Sequence, residues 1–215
     1  MNHQNETFET WNNIANLYQE KFMDLELYNH TYDYFCNSLE KLQAKILEIG
    51  CGPGNVTKYL LSKRPNLDIL GVDIAPNMIT LAKQNNPKAH FQVMDAKLIS
   101  QIHSTFDGII GGFCLPYFNS NESKSLLLDI SKMLNNKGIL YLSFVEGAPQ
   151  DSGFKAGSAG RVYFNYHLLD ELKSQLIDLR FEVLKTFHVP YPTKDTASDI
   201  HTILVAQKTS ALQVK

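Results

Sequence analysis

The run KILEIGCGPGNVTKYLL, residues 45–61, places Gly50, Gly52 and Gly54 between a short apolar stretch and a stretch with helical spacing. Glycine loses more backbone entropy on folding than any other residue, so three of them in five positions must serve a purpose. The purposes open to them are a tight turn, a close approach by a ligand, or a close packing contact.

The rest of the chain repeats the alternation that this run begins. AKILEIG (44–50), LDILGVDI (67–74), AHFQVMDA (89–96), FDGIIGGFC (106–114) and ILYLSFVEG (139–147) predict five strands. NVTKYLLSKR, APNMITLAKQN and NESKSLLLDISKML predict helices between them, with NNKG (135–138) as a turn before the fifth strand. Pro76 stands where the first turn of a helix needs no N–H. NYHLLDELKSQLIDL (165–179) predicts a further helix, and RFEVLKTFHVPYP and HTILVAQKT two closing strands that pair antiparallel, since no helical pattern separates them. Ahead of this core, Trp11, Ala15, Tyr18 and Phe22, and then Leu25, Tyr28, Tyr32, Phe35, Leu39 and Leu42, fall at helical spacing. They predict two amphipathic helices within 7–22 and 24–42. Residues 147–160 carry four glycines and little apolar content and predict a mobile loop. Alternating strands and helices give a mostly parallel sheet covered on both faces, with every strand's C-terminal end on one ligand-binding edge.

Composition narrows the function. The chain has 215 residues, 44% hydrophobic and 20% charged, with a formal net charge of -2. This suits a single domain, with N-terminal helices over 1–44, the core over 45–208 and a tail over 209–215. No basic patch is evident, so no nucleic-acid partner is expected. No run reaches the ~18 apolar residues of a membrane span, and the polar N-terminus does not read as a signal peptide. No membrane partner is expected, and a cytoplasmic location is. Cys36, Cys51 and Cys114 are scattered and form no C-x-x-C, so neither a disulfide framework nor a metal site is expected.

The glycines thus fall between the first strand and its helix, where unpaired N–H groups meet a ligand. Asp73 ends the second strand, 23 residues after Gly50. An acid there accepts hydrogen bonds from both hydroxyls of a ribose, in a nicotinamide cofactor or in any other adenosyl nucleoside.

LEIGCGPGNVTKYL, LGVDIAPNMITLAK, VMDA and FDGIIGGFCLPYF together resemble the class I S-adenosylmethionine-dependent methyltransferases. The ordered motifs cover residues 45–146, and the remaining element order fits to about residue 208. The resemblance implies a Rossmann-like α/β fold, a doubly wound seven-stranded sheet of order 3-2-1-4-5-7-6 with the last strand antiparallel, under an N-terminal helical cap. It implies S-adenosyl-L-methionine as cofactor. Gly50, Cys51, Gly52 and Gly54 would turn around its methionine part. Asp73 would hold the ribose, and Ile74 and Met78 would flank the adenine. Asp95 and Ala96 match the acid-plus-small pair that meets the adenine edge, and Phe113 ends the fourth strand near the cofactor's amino acid end. Tyr18 stands within reach of the cofactor, Tyr28 as a packing residue. Glu48 is expected to be structural, hydrogen bonded to backbone.

The reaction so implied moves a methyl group in line from sulfur to an oxygen, nitrogen or carboxylate of a small molecule, in a monomer or homodimer. It needs alignment and exclusion of water, and no metal or covalent residue. A general base is optional, and its candidates are Tyr117 and His167, with Glu146, Tyr163 and Tyr166 also suitably placed. For His167 the alternative is an exposed place in the first helical turn. Arg161 could bind an acidic acceptor, while His188 and His201 are expected away from the site. Two rivals remain. A nicotinamide oxidoreductase is disfavoured by Asn55 at the third glycine of G-x-G-x-x-G and by the lack of a Tyr-x-x-x-Lys dyad. A non-catalytic binding protein on the same fold is the other.

Overall fold

A computed structural model describes residues 3–157, 160–192 and 199–210. Seven strands form the central sheet: β1 (Lys45–Ile49), β2 (Asp68–Asp73), β3 (His90–Val93), β4 (Phe106–Gly111), β5 (Leu134–Val145), β8 (Phe181–Tyr191) and β9 (Asp199–Lys208). Their order is β3-β2-β1-β4-β5-β9-β8. β9 runs antiparallel to both neighbours, as expected for the closing strand, and β1 to β5 are parallel. The remaining strands, β6 (Gly153–Gly157) and β7 (Gly160–Phe164), form a separate antiparallel pair.

Side-chain alternation along the strands explains the layers. Leu140, Leu142 and Phe144 of β5 meet Leu204 and Ala206 of β9 on one face, under α6 (Ser120–Met133) and α7 (Leu169–Asp178). Ile139 and Tyr141 meet Ile203 and Val205 on the other face, under α3 (Asn29–Ser38) and α4 (Asn55–Lys63). A strand buried on both sides must be apolar at successive positions, which is why these segments read as continuous hydrophobic runs. Gly108 lets α3 dock, since a Cβ there would lie 2.8 Å from Phe35 Cζ.

Several expected elements are corrected. The N-terminal region holds three helices: α1 (His3–Asn13), α2 (Ala15–Phe22) and α3. The first break follows Asn12 and Asn13, poor helix formers, where Asn12 turns its side chain and carbonyl to Asn77 at the start of α5 (Pro76–Asn85). The C-terminal end of α3 is closed by Arg64, which donates to Cys36 O at 2.6 Å and to Leu39 O at 3.2 Å. NNKG is a bulge inside β5, where Leu134 pairs with Phe106 and Ile139 with Gly108, and Lys137 takes φ 61. β3 stops at Val93, before Asp95 and Ala96, and α7 begins at Leu169.

The mobile loop expected over 147–160 is a short 3₁₀ turn (Pro149–Asp151) followed by β6, which pairs with β7. Residues 158 and 159 lie outside the described residues. Two threonines of α1 fasten this hairpin: Tyr163 N donates to Thr7 Oγ1 at 2.9 Å, and Thr10 Oγ1 to Arg161 O at 3.0 Å. Backbone pairing and helix side chains order a glycine-rich segment that composition alone marks as loose. The expected 209–215 tail falls largely outside the described residues.

Phe35 is fully buried against Tyr141, whereas Leu42 is 71% exposed. Phe35→Ala is expected to lower the unfolding free energy by about 3–5 kcal/mol, and Leu42→Ala by less than about 0.5 kcal/mol, in urea titrations.

Candidate active site

The C-terminal ends of β1 to β4 open onto a cavity of about 570 Å³, within the range that holds small ligands. Its floor is the loop after β1. Gly50 and Gly52 take φ 69 and 52, a region that costs other residues strain. Gly52 N donates to Asp73 Oδ2 at 2.9 Å and Ala75 N to Asp73 Oδ1 at 2.9 Å, so one carboxylate pins both loops. Burial pushes the Asp73 carboxyl up, and the two backbone N–H groups oppose that rise. Each oxygen keeps acceptor capacity for a further donor. Tyr18 lies across the floor, with its Cε1 3.7 Å from where a Gly52 Cβ would stand.

Ile74, Met78, Asp95 and Ala96 line one end of the cavity. Met78 is buried against Ala15 and Ala75, while Ile74 is 44% exposed. Asp95 Oδ1 accepts from Lys97 N at 2.9 Å and starts a 3₁₀ turn. Phe113 and Tyr117 line the other end. Phe113 has φ 55, uncommon for a bulky side chain, and its N–H donates to Ser143 Oγ at 2.8 Å. Its ring packs edge-on against His201 at 4.7 Å, and His201 Nδ1 lies 2.6 Å from Tyr28 Oη. His201, expected away from the site, therefore stands directly behind one of its walls. His188 is remote, near Thr202.

Three candidates are placed elsewhere. The Cys51 side chain packs with Ile79, Ala82 and Phe91 beneath the loop. Gly54 faces α5, where a Cβ would lie 2.4 Å from Asn86 Nδ2, so it serves packing. His167 is buried, precedes α7, and sets its Nε2 3.0 Å from Leu115 O. Burial lowers its pKa, and the imidazole ties two loops together away from the residues that line the cavity, so it is not the exposed first-turn residue of the alternative reading. Arg161 is likewise committed: it pairs with Glu6 and stacks on Phe154 at 4.0 Å.

The roof comes from α1 and the hairpin. Thr7, Phe8 and Trp11 of α1 line the cavity with Tyr163 and Asn165. Trp11 sits edge-on to Tyr18 at 5.5 Å and to Tyr117 at 5.9 Å. The helical stripe through Trp11, Ala15, Tyr18 and Phe22 was legible as amphipathic, but not which ligand surface it covers. Lys97 and Glu122 were missed. They pair at 2.6 Å on the rim, where Glu122 also accepts from Gln4 Nε2 at 3.0 Å and caps α6 through Asn119 N. No sequence signal joins residues 25 apart on different elements.

Glu48 is buried beneath the loop and accepts from the backbone N–H of Thr57, as expected, and also from Thr57 Oγ1. Burial, reinforced by the charge of Asp73, pushes its carboxyl from near 4.5 up to about 8. The folded protein thus holds a proton that the unfolded chain releases at lower pH. Its contribution to stability is complete below about pH 4.5 and is lost as pH rises to about 8. Glu48→Gln is expected to remove this decline, which amounts to a few kcal/mol (~1.4 per unit of pKa), when unfolding is measured from pH 5 to 9. An unchanged slope would contradict the assignment.

A family profile described as a methyltransferase domain matches residues 46–138. An uncharacterized methyltransferase of Alkaliphilus oremlandii is 25% identical over 85% of this chain and 86% of its own. A carboxy-S-adenosyl-L-methionine synthase of Campylobacter jejuni is 24% identical over 87% and 82%. Among solved structures, the 1,6-didemethyltoxoflavin-N1-methyltransferase of Burkholderia thailandensis, with bound 1,6-didemethyltoxoflavin and S-adenosylhomocysteine, superposes with a TM-score of 0.69 at 21% identity. That match covers 92% of this chain and 85% of that one. With the glycine loop, the strand-end acid and the strand order, these likenesses make the chain similar to the class I S-adenosylmethionine-dependent methyltransferases, with a methyltransferase domain matched over residues 46–138.

Proposed function

We propose that this protein transfers a methyl group from S-adenosylmethionine to an oxygen, nitrogen or carboxylate of a small molecule by direct in-line displacement. One observation carries the reading. Asp73 and the left-handed glycine loop it pins lie at one end of a cavity that continues, past Phe113, under a roof of α1 and the hairpin. The residues present fit the cofactor. Asp73 would take the ribose hydroxyls, Ile74 and Met78 the adenine faces, Asp95 and Ala96 its polar edge, and Gly50, Gly52 and Tyr18 the methionine part. When bound, the cofactor supplies a methyl on a sulfonium, whose carbon–sulfur pair stays on sulfur as the acceptor's lone pair forms the new bond.

The chain's own work is then alignment and the exclusion of water, which together lower such barriers by ~7–11 kcal/mol. Burial holds the Tyr117 phenol above its ordinary range, so at neutral pH it orients an acceptor and does not deprotonate it. Asp73 and Asp95 hold backbone N–H groups and Glu122 holds Lys97. An acceptor proton is therefore given up to bulk water as the methylated product leaves the site. Small-molecule chemistry suits the enclosed cavity and agrees with the Burkholderia thailandensis enzyme.

Calorimetry with S-adenosylhomocysteine tests the cofactor end. The wild-type protein is expected to bind one equivalent. Asp73→Ala is expected to weaken binding by about 2–4 kcal/mol, the worth of one or two hydrogen bonds to a charged acceptor. Unchanged affinity in a folded variant, or NADH binding as tightly, would contradict the reading.

A further inference from the structure

The far half of the cavity has a chemical character of its own. Trp11, Phe113, Tyr117 and Tyr163 face it, one from α1, two from the segment after β4 and one from β7, while Phe8 packs with Ala75 and Met78 at the adenine end. Four rings from three elements make walls that suit a flat π-surface. The polar groups among them are largely spent on the protein itself. Thr7 Oγ1 donates to His3 O and accepts from Tyr163 N, and Asn165 Nδ2 donates to Pro116 O at 2.9 Å.

Charge is distributed as informatively as apolar area. Among the described residues, the charged side chains lining the cavity are Asp73, Asp95, Lys97 and Glu122, with His3 exposed at the mouth. Lys97 is neutralised by Glu122 at 2.6 Å and lies on the rim at the adenine end. No arginine lines the cavity among the described residues, and Arg161 outside it is held by Glu6. A carboxylate or phosphate moved from water into the far half would lose its hydration without gaining a fixed cation or a free fork of donors.

We infer that the methyl acceptor is an uncharged aromatic molecule carrying a hydroxyl or ring nitrogen, and that carboxylate and phosphate acceptors are excluded. This rests on the methyl-transfer reading and narrows it. The rings hold the acceptor's face, while Tyr117 and Tyr163 supply the hydroxyls able to meet its polar edge.

The test is calorimetry on the protein saturated with S-adenosylhomocysteine, with 2-naphthol and 2-naphthoate as probes of equal ring size. 2-Naphthol is expected to bind at least tenfold more tightly than 2-naphthoate. Tyr163→Arg, which places a cation in the wall, is expected to reverse that order. Trp11→Ala, which removes a ring without adding charge, is expected to weaken 2-naphthol and leave 2-naphthoate weak. Equal or tighter binding of 2-naphthoate to the wild-type protein would overturn the inference, and so would failure of both probes to bind below 1 mM (about −4 kcal/mol). Failure of S-adenosylhomocysteine itself to bind is seen separately, before either probe is added, and would overturn the underlying methyl-transfer reading.

Discussion

The carboxylate of Asp73 is the point on which the site depends. By accepting from Gly52 N and Ala75 N it joins the loop after β1 to the loop after β2, and so fixes the floor of the cavity. That clamp adds to the bonds from Gly50 N and Cys51 N to Val72 O, at 2.8 and 3.0 Å, that hold the left-handed turn to β2. The same buried oxygens retain room for further donors, so on the proposed reading one side chain both builds the loop and holds the ribose. Its charge also bears on Glu48 beneath, which stays protonated and bonded to Thr57 and fills the space under the loop without a second negative charge. Sheet order serves this arrangement: β1 lies between β2 and β4, so its loop reaches both the Asp73 end and the Phe113 end of the cavity.

Much of this was legible in the sequence, because it is local. The glycine spacing, the acid at the end of β2 and the alternation of strands and helices each report short-range backbone requirements. Through the resemblance they carry, they implied the sheet order with its antiparallel closing strand, and they named residues that line one end of the cavity. What was not legible is long-range. The hairpin of β6 and β7 is held by α1 threonines more than 150 residues away, so its glycine-rich sequence read as a loose loop. Cys51 and Gly54 share the motif with Gly50 and Gly52 but turn into packing against α5 and β3, a distinction set by neighbours and not by spacing. His167 read as a helix-start residue because nothing in the sequence announces its bond to the Leu115 carbonyl.

The roof gives the protein its individuality. α1 and the hairpin are joined to each other by Thr7, Thr10 and the Glu6–Arg161 pair. They are joined to the core by Asn12 on Asn77 and by Gln4 on Glu122. These bonds are few, and those near the surface are individually weak, whereas the sheet beneath is buried on both faces. A firm floor under a lightly fastened roof is suited to binding a nucleoside reproducibly while admitting and releasing a second molecule. On the inference above, Trp11 on the underside of α1 helps to select that second molecule.

The most direct test of the account is a crystal structure of this protein with S-adenosylhomocysteine. The account predicts both ribose hydroxyls on Asp73, the adenine between Ile74 and Met78 with its edge toward Asp95 and Ala96, and the sulfur facing the ring-lined space beside Phe113 and Tyr117. A nucleoside bound away from Asp73, or a sulfur turned from that space, would contradict it.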